Sequence, residues 1–228
     1  MSMKPANKSD AHRILIVDDH PVFREGLAHL VGREKDLHVC GQTHDANAAL
    51  ADVGRLEPDL VLLDITMPGR NGLEVLKDLR LQYPDIKVLV VSMHDETLYA
   101  QRVLRAGGHG YIVKHENPDK LLQAIRHVLS GQVYVSERMS ASILKGVRGQ
   151  PAEPKCGPVE QLSDREFGIL RLIGEGKGSR EIARLLELSP KTVDAHRAHI
   201  KQKLGLKTGL ELTRYAVRWV EMPTRSEV

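Results

Sequence analysis

Residues 60–76 read LVLLDITMPGRNGLEVL. Leu60–Leu63 is short and wholly apolar, as a strand covered on both faces of a parallel sheet is. Asp64 ends the run, and after a short loop Gly72–Leu81 carries helical apolar spacing. Strand, loop and helix in that order form the repeating unit of an α/β fold. Further units lie on both sides. Arg13–Val17 (RILIV), Val88–Val91 (VLVV) and Tyr111–Val113 (YIV) read as buried strands, and the weaker run His38–Thr43 (HVCGQT) as an edge strand. Helical patterns alternate with them at Pro21–Val31, Ala46–Leu56, Glu96–Ala106 and Pro118–Leu129. Pro21 and Pro118 suit first-turn positions, and Asp45 and Asn117 suit N-caps. Five such units predict an α/β fold with an open, doubly wound parallel sheet.

The polar residues of this half cluster at predicted strand ends. Asp18 and Asp19 follow the first strand, Asp64 follows LVLL, Ser92 follows VLVV and Lys114 follows YIV. Loops at the carboxyl ends of such strands form the binding crevice. Three carboxylates, a hydroxyl and an ammonium are therefore expected on one rim. Clustered carboxylates repel unless a cation sits among them. A hard divalent ion such as Mg²⁺ takes oxygen ligands, and a carboxylate beside it can act as a nucleophile towards phosphorus. His20, His94 and His109 are placed near the same rim, with His20 read as a helix-entry residue.

The rest of the chain changes character. Residues 146–161, GVRGQPAEPKCGPVEQ, are rich in Gly and Pro, lack apolar periodicity and read as linker. Leu162–Ile173, Ser179–Leu186, Pro190–Leu204 and Leu210–Val220 read as helices, with Ser163, Ser179, Ser189 and Thr208 at N-cap positions. The turn Glu187–Leu188–Ser189 is tight enough for a helix-turn-helix. In Pro190–Leu204, Val193, Ile200 and Leu204 share an inward face with His196. The opposite face carries Lys191, Asp194, Ala195 and Ala198, flanked by Arg197 and Lys201. Short side chains at its centre let it approach base edges while Lys and Arg reach phosphates. Charge agrees with this division. Residues 1–135 hold 16 basic and 18 acidic side chains and residues 136–228 hold 17 and 12, so the net +3 divides into −2 and +5. His196 and His199 are three apart on one helix, but no third metal ligand is visible in the sequence.

Two sets of motifs carry a resemblance. IVDDH (16–20), LLDITMPGRNGLEVL (62–76), VVS (90–92) and GYIVK (110–114) resemble the motifs of response-regulator receiver domains. Residues 162–208 resemble the LuxR-type domain of the NarL/FixJ regulators. The resemblance implies a five-stranded, flavodoxin-like sheet in the order 2-1-3-4-5 and a small all-α four-helix domain. The implied division is a receiver over 12–132, a linker over 133–160 and a DNA-binding domain over 161–222. It further implies that Asp64 is the phosphoacceptor and that Mg²⁺ is held by Asp19 and Asp64, by Asp18 mainly through water, and by the Thr66 backbone carbonyl. Ser92 and Tyr111 would form the switch pair, Lys114 would contact the phosphoryl group, and Pro68 and Gly72 would shape the loop after Asp64. Pro190–Leu204 would be the recognition helix, with Lys191, Thr192, Asp194, Ala195, Arg197, Ala198 and Lys201 facing DNA, and Leu210–Val220 the dimer helix.

Some positions depart from the common pattern. Gly108 stands where alanine is frequent, which would loosen the approach to Tyr111. Ser92 replaces a frequent threonine, and Thr66 and His94 occupy variable positions that tune phosphoryl lifetime.

The expected function is phosphorylation-dependent transcription regulation, not enzymatic turnover. The expected partners are a sensor histidine kinase, promoter DNA, a second copy of the chain when phosphorylated, and RNA polymerase as a further candidate. An aspartyl phosphatase of the haloacid-dehalogenase type would place its nucleophile after the first strand in a D-x-D motif, where this chain has Asp18–Asp19–His20. A receiver-like module that is never phosphorylated would not need the intact set of acids, hydroxyl and lysine. No apolar stretch is long enough to span a bilayer and MSMKPANKSDAHR has no signal-peptide core, so a cytoplasmic protein is expected. Cys40 and Cys156 have no metal-like spacing, and neither a disulfide framework nor a zinc site is expected.

Overall fold

The computed structural model describes residues 11–94, 96–147 and 158–221. Within the described residues, contacts divide the chain into two compact units, one built mainly on residues 11–67 and 72–147, the other mainly on residues 158–221.

The first unit is a five-stranded parallel sheet of β1 (His12–Val17), β2 (Leu37–Thr43), β3 (Leu60–Leu63), β4 (Lys87–Ser92) and β5 (Gly110–Val113) in the order β2-β1-β3-β4-β5. Its helices are α1 (Pro21–Gly32), α2 (Ala46–Leu56), α3 (Gly72–Gln82), α4 (Glu96–Arg105) and α5 (Pro118–Leu129). The apolar runs form the strands because both faces are covered. Every residue of β3 is buried, as are Ile14–Val17 and Val88–Ser92. The edge strand β2 pairs with β1 alone and is buried only at its ends, Leu37 and Thr43, which explains its weaker apolar signal. Asp45 and Asn117 cap α2 and α5 by accepting from Asn47 N and Asp119 N.

After α5 the chain returns along β5, where Tyr111 N donates to Tyr134 O and Tyr134 N to His109 O. A helix not expected from the sequence, α6 (Glu137–Val147), follows inside the segment assigned to the linker. Its Met139 is buried and Ser136 N donates to the Glu96 carboxylate. The Gly/Pro-rich centre of that segment, with Cys156, lies outside the described residues.

The second unit opens with a short 3-10 turn, Pro158–Gln161, and contains α7 (Asp164–Gly174), α8 (Ser179–Leu185), α9 (Pro190–Leu204) and α10 (Gly209–Glu221). Phe167, Leu170, Ile173, Ile182, Val193, Ile200, Leu212 and Trp219 fill its core, with the Phe167 and Trp219 rings edge-to-face at 5.2 Å. Ser163 and Glu166 form a full capping box at the start of α7. Ser189 caps α9, and Gly205 ends it in the left-handed region at φ 67°. Ser179, in contrast, does not cap α8. Gly178 holds that position in extended backbone, and Ser179 is the first helical residue. Among the described residues, no helix is long and apolar enough to cross a membrane.

Candidate functional site

The parallel ladder runs one residue beyond β1, β3 and β5. Asp18 N donates to Thr43 O, Asp64 N to Val17 O and Lys114 N to Ser92 O. These backbone bonds fix the first residue after β1, β3 and β5, the residue that carries the charge in each case. The side chains converge. Lys114 Nζ lies 2.7 Å from Asp18 Oδ2 and 2.8 Å from Asp64 Oδ2, and all three side chains are at most 3% exposed. The remaining oxygens are held locally: Asp18 Oδ1 accepts from His20 N and Asp64 Oδ1 from Thr66 N, both at 2.9 Å. Phe23 lies under the Lys114 ammonium, 4.6 Å from ring centroid to Nζ.

Burial dominates the electrostatics. It pushes the Asp64 carboxyl above its ordinary range although Lys114 and the Thr66 N–H favour the charged form, and Asp18 reinforces the rise. Asp19 is more open. Its Oδ1 lies 2.9 Å from His20 Nδ1, yet that atom is buried without a well-directed hydrogen bond. Asp18, Asp19, His20 and Asp64 each bring a ligand atom within 4.8 Å of the others. An under-satisfied buried carboxylate oxygen among three acids fits a hard divalent cation.

The loop after Asp64 depends on Gly72. A Cβ there would overlap the Asp64 carbonyl oxygen and Ile65 Cα, so the start of α3 can approach the loop only as glycine. Ser92 is fully buried at the end of β4, and its hydroxyl accepts from His94 N at 3.3 Å. Tyr111 is also fully buried, with its hydroxyl donating to His94 O at 2.8 Å. The His94 ring contacts Thr66 Oγ1 at 2.7 Å and stacks on Tyr99. Gly108 leaves no slack near Tyr111, because Val103 fills the space of an alanine methyl.

In the helical unit, Val193 and Ile200 of α9 are fully buried while Lys191, Thr192, Asp194, Ala195 and Ala198 are exposed and Arg197 and Lys201 half-buried. The α8–α9 turn carries Glu187 at φ 52°, which reverses the chain within a few residues. Glu166 supplies the third group that His196 and His199 lacked in the sequence, with the three ligand atoms within 4.8 Å. That carboxylate already has a cation, since Lys203 Nζ lies 2.7 Å from Glu166 Oε2. Burial raises the Glu166 carboxyl, but Lys203 and the Ser163 N–H outweigh it and hold the group below its ordinary range.

Residues 14–126 match the family of response regulator receiver domains, and residues 160–216 match the luxR family of bacterial regulatory proteins. The oxygen regulatory protein NreC of Staphylococcus carnosus (strain TM300) is 38% identical over 210 residues, covering 90% of this chain and 97% of that protein. The chain belongs to the NarL/FixJ family of two-component response regulators. Solved structures agree. RcsB from Salmonella enterica serovar Typhimurium, bound to the promoter rprA with a beryllofluoride phosphomimetic, is 25% identical with a TM-score of 0.65 over 91% of this chain and 98% of that one. A LuxR-family response regulator from Aurantimonas sp. SI85-9A1 is 32% identical with a TM-score of 0.57, covering 60% of this chain and 99% of that one.

This response regulator thus has a receiver domain with the expected strand order, followed by a LuxR-type helix-turn-helix domain. The structure brings Asp18, Asp19, Asp64 and Lys114 together as the strand-end reading required. His20 is both the N-cap residue of α1 and a neighbour of the three carboxylates. His109 is a correction. It precedes β5, and in a parallel sheet that position lies at the amino end, where its Nδ1 accepts from Val88 N at the start of β4. Burial and the nearby Arg80 and Lys87 hold its imidazole below the ordinary range. Glu166 had a legible signal, the Ser163-x-x-Glu166 capping pattern, which the sequence reading used only for Ser163.

Proposed function

We propose that Asp64 accepts a phosphoryl group from a sensor histidine kinase and that this controls promoter binding by the helical domain. The observation that carries the reading is the buried convergence of Asp18, Asp64 and Lys114 at the strand ends. An Asp64 oxygen attacks phosphorus, the phosphorus–nitrogen bond of the kinase phosphohistidine breaks, and the imidazole leaves with the bonding pair. Lys114, already on Asp64 Oδ2, neutralises charge gained at the phosphoryl oxygens. Asp19, Asp64 and the Thr66 carbonyl, with Asp18 through water, would hold Mg²⁺, whose contribution is to screen the acids and the incoming phosphoryl charge.

Ser92 and Tyr111 form the switch in this reading. Tyr111 is inside in the structure, and the switch moves it between this position and an outward one. The receiver faces of α1 and α5 and the helix α10, with its exposed Leu210, are the proposed dimer surfaces. Two copies of α9 would then read a two-fold DNA site with Lys191, Thr192, Asp194, Ala195, Arg197, Ala198 and Lys201.

Acetyl phosphate with Mg²⁺ tests the acceptor. Intact-mass measurement should find one added phosphoryl group, labile to hydroxylamine, on wild type and none on Asp64→Asn. Equal labelling of both forms would contradict the assignment.

A further inference from the structure

The exposed face of α9 carries one acid, Asp194, among Lys191, Arg197 and Lys201. An unpaired carboxylate there is unfavourable near phosphates. It also lies three residues from Lys191 on one side and from Arg197 on the other, a spacing at which helical side chains pair. The structure shows neither pair. Ser179, from the first turn of α8, donates its hydroxyl to Asp194 Oδ1 at 2.8 Å. Gly178 holds the N-cap position of α8, so the Ser179 hydroxyl is not used to cap its own helix. Asp194 forms no ion pair among the described residues.

We infer that Ser179 is a positioning residue for DNA sequence readout, and that it orients Asp194 to accept from the exocyclic amino group of a cytosine. The inference rests on the reading of α9 as the DNA-facing helix. With Oδ1 engaged, Asp194 presents one open oxygen, and a carboxylate only accepts hydrogen bonds. Ala195 and Ala198 are too short to compete for the same base edge. In the major groove, guanine and thymine offer acceptors that repel a carboxylate, and adenine sets N7 beside its amino group. Cytosine offers its amino donor with no acceptor on its own major-groove edge. Holding Asp194 away from Lys191 and Arg197 leaves those cations for phosphates, so one hydrogen bond separates sequence reading from backbone anchoring.

The test uses the full chain with Mg²⁺ and beryllofluoride. Binding sites are selected from randomised duplexes, and affinity is then titrated on duplexes differing at one base pair. Wild type should prefer cytosine at one fixed position per half-site. Ser179→Ala should lose about tenfold of that preference while keeping its salt dependence and its preferences elsewhere. Ser179→Thr should retain the preference, Asp194→Ala should lose it, and Asp194→Asn should move it to adenine, which pairs with a side-chain amide through N6 and N7. An unchanged preference in Ser179→Ala overturns the role of Ser179, and an unchanged preference in Asp194→Ala overturns readout by Asp194. Absence of DNA binding by every form would instead overturn the DNA-binding reading on which the inference rests.

Discussion

Asp64 of the receiver and Glu166 of the helix-turn-helix domain are both buried carboxylates facing a lysine, yet their acidities move in opposite directions. Asp64 pairs with Lys114, but burial and the neighbouring Asp18 leave it harder to ionise than a free aspartate. Glu166 pairs with Lys203 and also accepts from Ser163 N in a capping box, which makes it easier to ionise despite its burial. A carboxylate fully satisfied by neutral and charged donors stabilises its domain. A carboxylate crowded by other acids holds its charge at a cost, which a cation or a phosphoryl group can relieve. The second arrangement marks chemistry and the first marks architecture.

The linkage signs differ accordingly. The folded pKa of Glu166 lies below its unfolded value. Its contribution is present above about pH 4.3 and lost as pH falls through the folded value. The folded pKa of Asp64 lies above its unfolded value. Its contribution is present below about pH 4 and lost as pH rises through the folded value. The chain has one tryptophan, Trp219, packed on Phe167, so its fluorescence reports the helical domain while amide exchange of β1 and β3 reports the receiver.

The largest expected effect is that of Lys114→Met, which leaves Asp18 and Asp64 buried without their shared ammonium. Receiver stability in EDTA should fall by about 3–5 kcal/mol, with part restored by Mg²⁺. Amide exchange of β1 and β3 measures it, and unchanged protection would mean the two carboxylates do not depend on Lys114. Glu166→Ala comes next. It removes half of the capping box and the partner of Lys203, whose partly exposed ammonium can return to water, so the loss should be about 1–3 kcal/mol. Urea unfolding followed by Trp219 fluorescence reads this loss, which should shrink towards acid pH. A loss independent of pH would remove the electrostatic half of the comparison. Asp64→Asn has the smallest effect and the opposite sign. Without Mg²⁺ at neutral pH it should stabilise the receiver by about 0.5–2 kcal/mol, as relief of strain at a functional site does. Destabilisation by Asp64→Asn would show that Asp64 is architectural like Glu166.

The sheet was legible because a strand buried on both faces leaves a nearly uninterrupted apolar run, and the charges after β1, β3 and β5 mark the rim where Asp18, Asp64 and Lys114 meet. His109 was misplaced because proximity in sequence to Tyr111 and Lys114 hides which end of the strand a residue occupies. The helix α6 was missed because ERMSASILKGV runs into the Gly/Pro-rich tract, and its tertiary partners, such as Glu96 on Ser136, are invisible in sequence. Ser179 had an N-cap's composition, but backbone geometry gave that position to Gly178 and freed the hydroxyl for Asp194. The third neighbour of His196 and His199 lies more than a helix away in sequence, and only the fold supplies it.

In the proposed switch, a charge held at a cost at Asp64 governs DNA binding by a separate domain. Fluorescence anisotropy of a promoter duplex, titrated with wild type and Asp64→Asn in Mg²⁺ with and without beryllofluoride, tests it most directly. The phosphoryl mimic should tighten wild-type binding at least about tenfold, the low range of allosteric coupling, and leave Asp64→Asn unchanged. Equal binding by wild type with and without the mimic, or an equal response from Asp64→Asn, would contradict it.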